Sequence, residues 1–68
     1  MKKTLSNNIR KLRFLADEMT QQSLAERIEV SRQTVISIEH DKYSPSLEVA
    51  FKIAGVFNVP LDEVFTYE

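Results

Sequence analysis

Two hydrophobic staples set eleven residues apart constrain this chain more than any other feature. In the first, Met19 precedes Thr20, and Leu24 occupies the fourth position of the helix that Thr20 would cap. In the second, Val30, Ser31 and Val35 repeat the arrangement. A capping hydroxyl accepts from a free N–H of the first turn, while the apolar pair around it fixes the angle at which the chain enters the helix. Two such devices so close together predict two short helices, about 20–28 and 31–40, joined by a very tight turn.

The rest of the chain reads as three more helices. Ser6 or Asn7 caps a first one, in which Ile9, Leu12, Leu15 and Ala16 recur at helical spacing until Asp17-Glu18 ends it. Asp41-Lys42-Tyr43-Ser44-Pro45 is a loop, because the residue before a proline is pushed out of the helical region. Ser46 caps a fourth helix with a stripe of Leu47, Ala50, Ile53, Ala54 and Phe57. Asn58-Val59-Pro60 breaks it, and Leu61 to Phe65 forms a last short helix with Pro60 at or just before its first position. Period-two alternation is confined to the terminal stretches Lys2–Leu5 and Val64–Tyr67. The expectation is an all-α, five-helix single domain over residues 1–68, with no repeat or linker.

With 68 residues and no cysteine, disulfides and thiolate zinc sites are excluded, so stability rests on capped, packed helices or on a partner subunit. The apolar runs are too short for a bilayer, and Met1-Lys2-Lys3-Thr4-Leu5 lacks the apolar core of a signal peptide, so the expected location is the cytoplasm. His40 is the single histidine, which argues against a metal site. Asp62-Glu63 are neighbours on a helix, and no Ser/His/Asp set or phosphate-cradling glycine loop occurs, so we expect no enzyme, cofactor or small-molecule ligand. Residues 1–42 carry eight Lys or Arg against six Asp or Glu, a net +2, while residues 43–68 carry one against four, a net −3. A bound polyanion would therefore meet the first two-thirds of the chain.

Two helices on a tight turn are either a structural hairpin or a helix-turn-helix, and the apolar positions discriminate. Counting from Gln21, positions 4, 5, 8, 10, 15 and 18 are Leu24, Ala25, Ile28, Val30, Val35 and Ile38. These must be buried for the helices to cross steeply and leave the outer face of the second one free. With Val35 and Ile38 inward, that face presents Arg32, Gln33, Ile36, Ser37 and His40. Gln matches adenine and Arg matches guanine through paired hydrogen bonds in the major groove, and an apolar side chain such as Ile36 suits a thymine methyl. The aromatics Phe14, Phe51, Phe57, Phe65 and Tyr67 fall on core or C-terminal positions, leaving Tyr43 alone in the loop, which argues against a stacking platform for single strands.

The run Thr20-Gln21-Gln22-Ser23-Leu24-Ala25-Glu26-Arg27-Ile28, with Val30-Ser31-Arg32-Gln33-Thr34-Val35, Ile38-Glu39, Lys42-Tyr43-Ser44-Pro45-Ser46-Leu47 and Leu61-Asp62-Glu63-Val64-Phe65, resembles the helix-turn-helix regulators of the lambda repressor and Cro type, the XRE family, over about residues 7–66. The resemblance implies a double-stranded DNA operator as partner and regulation of transcription, with repression ahead of activation. It places Arg32, Gln33, Ile36 and Ser37 on bases. Thr20, Gln21, Ser31, Thr34, His40, Lys42, Tyr43 and Ser44 would hold the phosphate backbone, with Gln21 also steadying Arg32 or Gln33. Arg10 and Lys11 are read as solvated. It further implies an ion pair between Arg13 and Glu39, and pairing of residues 2–5 with 65–68 as strands. Three departures stand out: Glu18, Glu29 and Asp41 occupy places where the family usually has Gly, the first helix is one residue longer before Thr20, and Pro60 replaces a Ser or Thr cap. One such domain covers little DNA, so a homodimer through Leu61, Val64, Phe65 and Tyr67 is expected. The competing reading is an antitoxin-like module whose acidic C-terminal third grips a protein partner.

Overall fold

The caps anticipated at Thr20, Ser31 and Ser46 all form. Their hydroxyls accept from the N–H groups of Ser23, Thr34 and Val49 at 3.0, 3.1 and 3.2 Å. The computed structural model describes residues 4–68. Its elements run β1 (Leu5–Asn7), α1 (Ile9–Leu15), α2 (Gln21–Ile28), α3 (Arg32–Glu39), α4 (Leu47–Phe57), α5 (Leu61–Val64) and β2 (Phe65–Tyr67). Pro60 is the residue before α5, where its fixed φ suits the entry but offers no side-chain cap.

Every helix contributes to one core. Ile9, Leu24, Ala25, Ile28, Val35, Ile38, Ile53, Ala54 and Val64 are buried together, and Val30, Leu12, Phe57 and Leu61 pack against their rim. The all-α class holds, with one addition at the ends. β1 and β2 pair antiparallel, Leu5 with Tyr67, Ser6 with Thr66 and Asn7 with Phe65. Thr4 and Glu68 exchange backbone hydrogen bonds at 2.6 and 3.0 Å beyond them. The ribbon thus sits further along the chain than the 2–5 segment named above, of which residues 2 and 3 lie outside the described residues. Two local readings change with it. Ser6 belongs to β1 and its hydroxyl bonds that of Thr66, so it does not cap α1; Asn7 accepts the Ile9 N–H instead. Phe65 leaves the last helix for β2, because its backbone finds a strand partner in Asn7.

Four apolar side chains depart from the expected inward faces. Leu15 and Leu47 are 67% and 66% exposed, and Phe14 and Phe51 are 66% and 56% exposed. On a helix advancing about 100° per residue, Leu15 lies roughly 120° from Ile9, whereas Ala16 returns to the same side. Leu47 opens α4 beyond the edge of the core, and Phe51 lies on the side away from Ile53.

The turns explain how the departures from glycine are accommodated. Asp17, Glu18, Glu29, Asp41 and Asn58 all adopt positive φ, between 55° and 62°. After Glu29, Asp41 and Asn58, the next N–H bonds the carbonyl five residues back, Val30 to Ala25, Lys42 to Ser37 and Val59 to Ala54, at 2.9–3.1 Å. These are left-handed helix stops of the kind glycine usually serves. A non-glycine residue in this region costs about 1 kcal/mol, less for Asn. The extra residue before Thr20 is absorbed by a second consecutive left-handed residue: Asp17 and Glu18 together let the Met19 N–H reach the Arg13 carbonyl at 2.9 Å. Glu29 also reaches across to α4, where Lys52 Nζ meets it at 3.1 Å and Glu48 at 3.4 Å. The hydrogen bond to Glu29, aided by the charges of both carboxylates, holds the Lys52 ammonium above its usual pKa.

Candidate nucleic-acid interface

The seam between α2 and α3 is closed by Leu24, Ala25 and Ile28 on one side and Val35 and Ile38 on the other, none more than 2% exposed. Because one edge of α3 is spent on that seam, the opposite edge is surface. Arg32, Gln33 and His40 are exposed, and Ile36 and Ser37 are half-buried. The first turn of α3 carries no acidic residue, so nothing offsets the positive end of the helix dipole.

Beneath the seam lies an ionic knot. Glu39 takes Arg13 Nε at 2.6 Å and Nη2 at 3.1 Å, and Gln21 Nε2 at 3.2 Å, while Arg13 Nη1 donates to the Met19 carbonyl at 2.9 Å. The paired side chains of Arg13 and Glu39 are only 15% and 5% exposed. In this setting a two-pronged Arg–carboxylate pair fixes geometry as well as charge. It ties the end of α3 to α1 and to the first residue of α2, so the ion pair forms despite the added residue before Thr20. Gln21 is thereby held by Glu39 rather than by Arg32 or Gln33.

α3 stands as a ridge between two shallow grooves. One is lined by Arg10, Thr20, Gln21, Arg32, Glu39 and His40 among others. The other is lined by Ser31, Gln33, Thr34, Ser37, Lys42 and Tyr43. The residues assigned to bases and to phosphates therefore come together around α3, with Arg32 facing one groove and Gln33 and Ser37 the other. Ser44 is set apart, lining a hollow beside Thr4, Leu5 and Ser6 together with Tyr43. Ser31 and Thr34 bond each other's hydroxyls at 2.9 Å, so their side chains are partly engaged within the cap. Arg10 lines the first groove, although the sequence favoured simple solvation for it.

The tail assigned to a dimer divides. Tyr67 is 66% exposed and Leu61 and Phe65 are half-buried, but Val64 is 0% exposed and belongs to the monomer core. Val64 has no surface to give a partner. An apolar residue on a short terminal helix serves either role, and the sequence pattern did not separate them.

This buried seam between two short helices on a tight turn, with the outer edge of the second exposed, defines a helix-turn-helix domain. The family model described as "Helix-turn-helix" matches residues 9–64. An uncharacterised HTH-type transcriptional regulator of Methanocaldococcus jannaschii is 47% identical over 94% of this chain and 96% of its own length. One of Archaeoglobus fulgidus is 46% identical over 74% of this chain and 70% of its own. The HTH-type transcriptional regulator YgzD of Bacillus subtilis is 38% identical over 94% of this chain and 96% of its own. The chain belongs to the helix-turn-helix family of XRE type, a family of DNA-binding transcriptional regulators. Among the described residues no helix is long and apolar enough to cross a membrane.

Proposed function

We propose that this protein binds a specific double-stranded DNA operator as a two-fold homodimer in the cytoplasm and represses transcription by occupying a promoter. α3 lies in the major groove, with Arg32, Gln33, Ile36 and Ser37 toward base edges. Thr20, Gln21 and His40 on one flank, and Ser31, Thr34, Lys42 and Tyr43 on the other, with Ser44 beyond them on the same loop, meet phosphates. The observation that carries this reading is the pairing of exposed Arg32 and Gln33 at the start of α3 with a fully buried Val35 and Ile38 behind them. Side chains fixed from behind by a rigid seam meet bases without an added ordering cost. The dimer would use the exposed Tyr67 with the half-buried Leu61 and Phe65, since one domain alone covers too little DNA for tight specific binding.

Selection of bound duplexes from a random pool tests this directly and should return a two-fold symmetric site. Against that site, Arg32→Ala and Gln33→Ala should each relax preference at one or two positions by about 1–3 kcal/mol. Affinity should fall steeply with salt, with a slope of about −0.9 per phosphate contacted. Binding by both variants that equals the wild type would remove α3 as the reading helix. A flat salt dependence would favour the antitoxin-like alternative, in which the acidic C-terminal third grips a protein.

A further inference from the structure

Asn7 holds none of the assigned DNA contacts, yet its side chain joins two parts of the candidate interface, α3 and the loop that follows it. Its Nδ2 reaches the Asp41 carboxylate at 2.9 Å with one N–H and shares the other between the carbonyls of Ile38 at 3.0 Å and Glu39 at 3.2 Å. Its Oδ1 accepts the Ile9 N–H at 3.0 Å. Ile38 and Glu39 are the last two residues of α3, where carbonyls run out of helical partners; the Ile38 carbonyl also accepts the Asp41 N–H at 3.1 Å. Asp41 is the left-handed residue at which the chain turns into Lys42, Tyr43 and Ser44. Asn7 itself is half-buried and anchored through its backbone pairing with Phe65. One amide therefore grips the end of α3 and the root of the neighbouring loop at once. The same bond gives the Asp41 carboxylate a donor and fixes its orientation beside Lys42.

We propose that Asn7 is a positioning residue for DNA binding. Through Ile38, Glu39 and Asp41 it reinforces the backbone bonds from Asp41 to Ile38 and from Lys42 to Ser37, and so holds the base-facing edge of α3 and the Lys42–Ser44 loop at one spacing for a single duplex. This rests on the reading of α3 and its loop as the DNA-facing surface. Two contact sets held at a preset spacing bind with less ordering cost than a fixed helix beside a loop that must settle on contact. Loss of the clamp is then felt at Lys42, the residue that follows Asp41.

The test compares wild type, Asn7→Ser, Lys42→Ala and the double variant on the selected duplex, by fluorescence anisotropy across a potassium chloride series. Circular dichroism fixes a temperature at which each is folded. Ser keeps an acceptor for the Ile9 N–H but is too short and too poor in donors to span α3 and Asp41. Asn7→Ser should weaken binding about fivefold to tenfold, the loss of one charge-assisted contact. It should also reduce the salt slope by about 0.9, and the cost of Lys42→Ala should largely disappear in its background. An unchanged slope in folded Asn7→Ser, with Lys42→Ala costing the same in both backgrounds, would overturn the proposal and leave Asn7 as a fold residue only. Should Asn7→Ser fail to fold, Asp41→Gly carries the comparison, since glycine accepts the positive φ and only the loop end of the clamp is lost. There a shallower slope supports the clamp. Tighter binding at an unchanged slope, the effect of merely deleting a negative charge, refutes it. Wild-type binding by both Lys42→Ala and Arg32→Ala would bring down the DNA-facing reading, and the clamp with it.

Discussion

The α2–α3 unit and the helices that flank it use similar residues to different ends. In the unit, every apolar position of the eighteen-residue pattern is in the core or packed on it, and the polar Glu39 beneath has a partner for each oxygen. In the flanks, α1 leaves Phe14 and Leu15 outside, and α4 leaves Leu47 and Phe51 outside. A chain of 68 residues has enough apolar surface for one well-made seam, and that seam is placed where the orientation of α3 is set. The flanking helices give it one face each and expose the other. The difference suggests that the orientation of α3 is the most tightly specified feature of the molecule.

Removing a partner from the ionic knot should test that contrast most severely. Glu39→Ala leaves the Arg13 guanidinium largely buried and unpaired, which should cost about 3–5 kcal/mol by denaturant unfolding. Replacing both residues, Arg13→Met with Glu39→Leu, should restore most of that loss, because the burden is the unpaired charge. A loss under about 1 kcal/mol for Glu39→Ala would mean that the unit has no privileged rigidity.

Truncation of apolar residues ranks next. Leu24→Ala should cost about 2–5 kcal/mol, because its cavity opens where the seam is fully closed. Leu15→Ala should stay within about 0.5 kcal/mol, as expected for an exposed side chain. Equal losses at the two positions would show that the end of α1 is covered in solution, by a partner or a second copy.

The smallest effect concerns the turns. Glu18→Gly should stabilise by several tenths of a kcal/mol, since relief of the left-handed strain slightly exceeds the added freedom of the unfolded chain. Glu29→Gly should gain less, because its hydrogen bond with Lys52 is lost at the same time. Thermal unfolding of the two variants side by side resolves that difference. An equal gain would leave the contact from Glu29 to α4 without effect on stability.

The seam was legible in the sequence because its positions are close together and each staple reports the helix it starts. Thr20, Ser31 and Ser46 were readable as caps for the same local reason. The faces of α1 and α4 were harder. An apolar side chain at Leu15 or Phe51 satisfies a loose helical spacing while pointing a third of a turn away from the core. Phe65 directly follows the apolar Val64 at the end of α5, so local spacing extends the helix to it, while its strand partner Asn7 is remote in sequence. On α3, the exposure of Arg32 and Gln33 follows from the burial of Val35 and Ile38 alone. The tie between Gln21 and Glu39, and the reach of Asn7 across to Asp41, depend on distances between elements that no local spacing encodes. The local clue at Asn7 is its place two residues before α1, which a capping role alone explains.

The terminal ribbon has a kinetic consequence. Ser6 and Thr66 are separated by sixty residues of chain, so their contact closes a loop embracing every helix. Joining such distant points costs more entropy than any other step in the assembly, and a two-stranded ribbon gives little in return until the helices are packed. The two tips should zip together last and peel apart first, and amide protons in the ribbon should exchange with solvent well before those along the α2–α3 seam.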